Sequence, residues 1–145
     1  MRVREAMTHE VFVARPDQTI LEAARAMGEI DIGALPVGED DRLVGIITDR
    51  DIAVRAVGRN MGPLTPVREV MSREVKFCYD DEDADHVARN MADLQVRRLP
   101  VVDRDKRLVG MLALSDLAIQ AGARPAAQAL EGISQPGGLR SQRTA

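Results

Sequence analysis

Three groups of residues in this chain have the chemistry to bind or react. The richest is Gly45-Ile46-Ile47-Thr48-Asp49-Arg50-Asp51, where an apolar run that reads as a buried strand stops and a helix begins. A helix N-terminus leaves backbone N–H groups without partners and a partial positive charge, which suits a phosphate. Thr48 can cap those amides or donate to a phosphate oxygen. The Asp51 carboxylate is an acceptor only, and its two oxygens suit the paired hydroxyls of a ribose. The same residue types at a helix start also serve as plain caps and dipole partners, so the segment read alone supports either role. The second group, Cys78, His9 and His86, lacks metal-ligand spacing, and a zinc site needs several converging ligands, so no metal is expected. The third, Asp80-Asp81-Glu82-Asp83 with Asp85 beyond, reads as a solvated strand-to-helix turn without the glycine-punctuated spacing of a calcium loop.

The bulk of the chain narrows the classes of function. Its 145 residues suffice for one domain with a real core, at 45% hydrophobic and 30% charged. Aromatic residues are only 2% with no Trp, so the core rests on Val, Ile, Leu, Met and Ala. That scarcity argues against a stacking platform for single-stranded nucleic acid. The net charge of -3 gives no global attraction to a phosphate backbone, so any anion site must be local. One cysteine permits no intrachain disulfide and points to a reducing compartment. Neither a membrane span nor a signal-peptide core is legible, so no membrane partner and a cytoplasmic location are expected.

The elements that position these residues come twice. Val3-Arg4-Glu5-Ala6-Met7-Thr8 returns as Val67-Arg68-Glu69-Val70-Met71-Ser72, and Leu35-Pro36-Val37 as Leu99-Pro100-Val101. Arg42-Leu43-Val44-Gly45 returns as Arg107-Leu108-Val109-Gly110, one residue out of register. The slip falls in the charged turns Glu39-Asp40-Asp41 and Asp103-Arg104-Asp105-Lys106, where an insertion is tolerated. Each repeat reads as a lead-in, a strand near Val11–Ala14 or Val75–Cys78, a helix, a hairpin and a second helix. Thr19 and Glu22 have capping-box spacing, and the helix they open presents Ile20, Ala23, Ala24, Met27 and Ile30. The matching set in the second repeat is Ala84, Val87, Ala88, Met91 and Leu94. The short branched runs Leu35–Val37 with Leu43–Ile47, and Leu99–Val102 with Leu108–Leu112, read as hairpins. The second helices carry Ile52, Ala53, Ala56 and Val57, and Leu117, Ala118 and Ala121. The expected class is α/β of the α+β kind, with the order β-α-β-β-α twice. Residues 1–58 form motif one, 59–66 the linker and 67–123 motif two. Residues 124–145 are expected as a mobile tail, with at most a short helix over 125–132.

From Val3 to about Ala121 the chain resembles a tandem CBS-domain pair, and is similar to the small stand-alone bacterial pairs that include hypoxic-response-type proteins. The residues that carry the resemblance are the Val-Arg-Glu-x-Met lead-ins, Ile32-Gly33-Ala34-Leu35-Pro36-Val37, Val96-Arg97-Arg98-Leu99-Pro100-Val101, and Gly45 to Asp51. The resemblance implies two motifs packed as a pseudo-twofold pair, a Bateman-type module, with clefts for adenosyl ligands: AMP, ADP, ATP, NAD or S-adenosylmethionine. The family's Gly-x-x-Thr/Ser-x-x-Asp/Asn motif maps onto Gly45, Thr48 and Asp51, the aspartate taking the ribose hydroxyls. It implies a base pocket from Val13, Ala14, Leu35, Pro36 and Ile46. Arg50 and Arg98 enter as phosphate partners from charge and location. The second repeat keeps Gly110 and Asp116 but has Ala113 in place of the threonine, with Ser115 one residue before the aspartate.

The expected function is a non-catalytic regulatory binding protein, a homodimer whose output goes to an unknown protein effector, with no cofactor required. An assembly module with vestigial clefts is the first alternative. A nucleotide-processing enzyme is the second, and it lacks a nucleophile–base pair, a Walker-type loop or a metal constellation.

Overall fold

Thr19 opens the first long helix as the spacing predicts: its Oγ1 accepts from the Glu22 N–H at 3.1 Å. The structure is a computed structural model, and it describes residues 1–120, 127 and 130–134. Its elements are α1 (Val3–Ala6), α2 (Ile20–Ile30), β1 (Ala34–Glu39), β2 (Arg42–Thr48), a π-helical segment (Asp51–Ala56), β3 (Cys78–Tyr79), α3 (Ala84–Leu94), β4 (Arg98–Val102), β5 (Leu108–Ala113) and α4 (Leu114–Gln120). They gather into two compact units. The Asp51 unit contains Phe12–Val75 with Lys106–Leu108; the Asp116 unit contains Met1–Val11, Lys76–Asp105 and the described residues from Val109 onward.

In the Asp51 unit β1 and β2 form an antiparallel hairpin with Leu35 opposite Ile47 and Pro36 opposite Ile46. Its two-residue turn puts Asp40 and Asp41 at φ 53° and 64°, the doubly positive geometry that matches the twist of a tight hairpin. Ala14 joins β1 in parallel, its N–H donating to Pro36 O at 3.0 Å and its carbonyl accepting from Gly38 N at 2.8 Å. The core is aliphatic and sulfur-bearing, with Leu35, Ile47, Val37, Val67 and Val70 at its centre. On α2 the buried residues are Ile20, Ala23, Ala26 and Met27, so Ala26 replaces the expected Ala24. Ile30 is half open because the helix stops there at Asp31 in the left-handed region. The segment after Asp51 buries Ala56 and part of Ile52 but exposes Ala53 and Val57. Its π winding departs from the 3.6-residue spacing on which the expected face was drawn.

The Asp116 unit has a three-stranded sheet, β3-β4-β5, with β3 parallel to β4. Asp83 caps α3 by accepting from His86 N at 3.2 Å, and Ala84, Val87, Ala88 and Met91 are buried as the repeat predicts. The acidic turn is bonded rather than merely solvated. Glu82 accepts from Tyr79 N at 2.9 Å, and Asp81 holds Arg104 in a bidentate pair at 2.7 and 2.8 Å. Arg104 also lies over the Tyr79 ring, 4.1 Å from its centroid. Ala121 falls outside the described residues, as do residues 135–145 of the expected tail; Ala127 and residues 130–133, within that segment, are helical.

The compact units are not the sequence repeats, because the lead-ins are exchanged. Residues 1–11 belong to the Asp116 unit, where Thr8 and Met111 trade both backbone hydrogen bonds at 2.9 and 3.0 Å. Residues 67–75 belong to the Asp51 unit, where Ser72 and Ile46 do the same at 2.9 and 3.0 Å.

Candidate functional site

At the end of β2 the chain turns from strand to helix through a reciprocal pair of hydrogen bonds. Thr48 Oγ1 accepts from Asp51 N at 3.0 Å, and Asp51 Oδ2 accepts from Thr48 N at 3.0 Å. Each residue satisfies the other's orphan donor, as in a capping box. Asp51 therefore has a structural job, and its Oδ1 lies 3.9 Å from Arg55 Nη1. An ionised carboxylate has about four lone-pair sites, so it keeps capacity to accept from further hydroxyls. Asp49 is also engaged locally: its N–H donates to Gly33 O at 2.9 Å and its Oδ1 accepts from Arg50 N at 2.7 Å.

The exchanged lead-in adds residues that the motif alone does not contain. Arg55 Nη1 donates to Ser72 Oγ at 3.3 Å, and a cavity of about 510 Å³ opens beside them, lined by Arg55, Arg68, Glu69, Met71, Ser72, Arg73 and Glu74. Arg55 thus joins Asp51 to a surface of mixed charge, Arg68 and Arg73 with Glu69 and Glu74, built from the other repeat's lead-in. Gly45 has a packing reason: a Cβ there would lie 2.7 Å from Met71 Sδ and 2.9 Å from the Ser72 carbonyl oxygen. Gly110 repeats the arrangement against Met7 Sδ at 2.8 Å and Thr8 O at 2.6 Å. These glycines admit the lead-in backbone to the strand.

The residues expected for the base pocket separate. Ala14 and Leu35 are 0% and 1% exposed, inside the core. Pro36 is buried and faces the half-buried Ile46 across the hairpin. Val13 is 38% exposed and lies over Gly38, where a Cβ would stand 2.8 Å from Val13 Cγ1. Arg50 is exposed and its side chain is not among those lining the 510 Å³ cavity.

The Asp116 unit repeats the backbone and changes the side chains. Asp116 Oδ2 accepts from Ala113 N at 2.9 Å, and Leu114 N donates to Arg97 O at 2.9 Å, as Asp49 does to Gly33. Ala113 has no hydroxyl to complete the reciprocal box. A cavity of about 420 Å³ lies here, lined by Arg98 and Ser115 as well as Arg97, Ala113, Leu114, Ala118, Ala127 and Leu130. Arg98 and Ser115 are thus brought to one cavity.

Cys78 and the acidic turn are held by burial and local hydrogen bonds. Cys78 is buried in the Asp116 core, and burial, helped by Glu82 and Asp80, pushes its thiol up to about 12. Hydrogen bonding to Arg104 holds the half-buried Asp81 carboxyl below its ordinary value. Among the described residues no group of three or more His, Cys, Asp or Glu could hold a metal ion, and no helix is long and apolar enough to cross a membrane.

Comparison with known proteins bears directly on these two junctions. The chain is 43% identical over 133 residues to CBS domain-containing protein YhcV of Bacillus subtilis, spanning 91% of this chain and 94% of that protein. It is 34% identical over 140 residues to hypoxic response protein 1 of Mycobacterium tuberculosis, spanning 95% and 97%. Among solved structures, hypoxic response protein I with two coordinated zinc ions aligns with a TM-score of 0.75 at 34% identity, covering 82% of this chain and 98% of that one. The CBS domain pair of MJ0100, in complex with 5'-methylthioadenosine and S-adenosyl-L-methionine, aligns at 0.73 with 32% identity, covering 86% and 98%. CBSX2 in complex with AMP aligns at 0.73 with 25% identity, covering 83% and 95%. The CBS domain description itself matches residues 3–58 and 67–120, the two repeats that carry the Asp51 and Asp116 junctions, so this chain belongs to the CBS-domain family as a tandem pair.

Proposed function

We propose that this chain is a non-catalytic sensor of adenosyl compounds, with the primary site at Asp51. The observation that carries the reading is the Thr48–Asp51 junction, a half-buried carboxylate with spare acceptor capacity beside a hydroxyl, Arg55 and Ser72. A ribose diol would donate to the Asp51 oxygens, and Thr48 would donate to ribose or phosphate. Val13, Pro36 and Ile46 offer apolar surface to a base, with Gly45 keeping β2 close to the lead-in. Arg50, and in the second site Arg98 with Ser115, would meet phosphate charge, while Asp116 would accept from the ribose hydroxyls. The adenosyl ligands named for MJ0100 and CBSX2 support the same ligand class here.

Output would pass through assembly to a protein effector in the cytoplasm, without nucleic acid or membrane. The helical segment that begins at Asp51 and the helix α4 that contains Asp116 also carry exposed apolar residues: Val54 at 52% and Ile119 at 76%. A ligand that prefers one setting of these helix starts would shift the population of a homodimer that buries such residues. Native mass spectrometry of the purified protein tests the reading. A dimer retaining an adenosyl mass supports it. A chain that takes up none of AMP, ADP, ATP, NAD or S-adenosylmethionine at millimolar levels is an assembly module with vestigial clefts.

A further inference from the structure

Two apolar residues from the C-terminal part of the chain, Ala127 and Leu130, share the 420 Å³ cavity with Arg97, Arg98 and Ser115. Residues 130–133 form a helical turn, and it is tied to the end of α3. Gln95, the left-handed cap of α3 at φ 56°, is 8% exposed and donates from Nε2 to Gly132 O at 2.9 Å. It is the buried polar side chain of the core among the described residues, and it spends a donor on this turn. Gly132 fits where no other residue does: a Cβ there would run into Ala92 Cβ and stand 2.7 Å from the Ala92 Cα and carbonyl oxygen. The cavity keeps about 420 Å³ with the turn in place, inside the range of about 300 to 1,000 Å³ usual for small-molecule sites. The turn is therefore a wall and not a plug. Among the described residues the lining of the 510 Å³ cavity in the Asp51 unit is mostly charged.

We infer that the turn at residues 130–133, latched through Gln95 and Gly132, is part of the Asp116 site and biases it toward a ligand that joins an anionic group to an apolar face. A nucleoside monophosphate fits that description; an inorganic phosphate or pyrophosphate offers only the anion. The inference rests on the adenosyl reading and adds to it a wall formed outside the two repeats.

The chain has no Trp, so Leu130→Trp installs a single fluorescent reporter at this wall. Titration of that variant with AMP is expected to shift its emission saturably, and with pyrophosphate to leave it unmoved at the same concentrations. Adding Arg98→Ala should raise the AMP midpoint about tenfold, the loss expected from one charge-assisted hydrogen bond, while Asp51→Ala should hold it within about twofold. Because the reporter could itself disturb the turn, Leu130→Ala and Gly132→Val are measured by calorimetry without it, and each should weaken the Asp116-site event about tenfold with the Asp51-site event unchanged. Emission indifferent to AMP while calorimetry records two AMP sites would overturn the inference and leave the adenosyl reading standing. Unchanged or tighter binding in Leu130→Ala and Gly132→Val would do the same. Absence of any AMP binding by the wild-type protein would overturn both.

Discussion

Asp51 carries two loads, and three substitutions separate them. Its Oδ2 accepts from Thr48 N and its own N–H donates to Thr48 Oγ1, with the side chain only 17% exposed. Asp51→Ala removes one capping acceptor, worth about 1 kcal/mol, and a first-turn negative charge, worth about 0.3–1 kcal/mol. The sum of about 1.3–2 kcal/mol corresponds to a Tm drop of about 4–7 °C in a chain of this size. Thr48→Ala removes the other half of the pair and should cost about 1 kcal/mol, less than additively with Asp51→Ala because the two bonds support each other. Asp51→Asn keeps an acceptor for Thr48 N and should recover most of the stability. Ligand affinity divides differently. Charge-assisted bonds to ribose hydroxyls are worth about 1.5–3 kcal/mol gross, so Asp51→Ala should weaken the tighter AMP site about ten- to a hundredfold. Asp51→Asn should recover little of that loss. Thermal unfolding and calorimetric titration of the same three proteins give both quantities. A variant set in which Asp51→Ala lowers Tm while AMP affinity stays within about twofold would show Asp51 to be a cap alone and not a ligand-binding group.

Asp116→Ala should affect mainly the weaker of two AMP events, since its box lacks the threonine hydroxyl; a larger loss there than at Asp51, measured by calorimetry, would reverse the assignment of the primary site. Gly45→Ala and Gly110→Ala should each destabilise by about 1–3 kcal/mol, because the new methyl meets a lead-in carbonyl oxygen that cannot rotate away as a methionine side chain can; denaturant midpoints check this. Cys78, its thiol pushed up to about 12 by burial, should resist thiol reagents at pH 8 until the chain unfolds, and rapid native labelling would contradict that. Because the folded pKa lies above the ordinary 9.0, this group's contribution to stability is complete below pH 9 and is lost as the pH rises toward 12; Cys78→Ala should flatten that alkaline decline.

What could be read from the sequence was local. The one-residue slip between repeats is visible in the structure as two different hairpin turns, a two-residue one at Asp40-Asp41 and a longer one in which Asp105 N donates to Asp103 Oδ1. Thr19 and Asp83 cap their helices because a short acceptor three residues before a backbone N–H needs no distant partner. The exchange of the lead-ins was not legible, since each pairs across a large sequence separation and either partner strand satisfies the same local pattern. For the same reason the packing of Gly45 against Met71 and Ser72 was not legible, beside the ribose–phosphate motif that the family resemblance assigns to it. Arg55 and Ser72 were missed although they touch, because one follows the motif by a turn of helix and the other stands in the opposite repeat. Leu130 was missed because composition alone made its segment look like a tail.

The proposed function stands or falls on whether the Asp51 carboxylate receives an adenosyl ligand. Calorimetric titration of nucleotide-free wild-type protein with AMP, 5'-methylthioadenosine and S-adenosylmethionine tests it directly. Saturable heat with at least one of these, diminished about ten- to a hundredfold in affinity by Asp51→Ala, is the predicted result; no heat with any of them at millimolar concentration would contradict it.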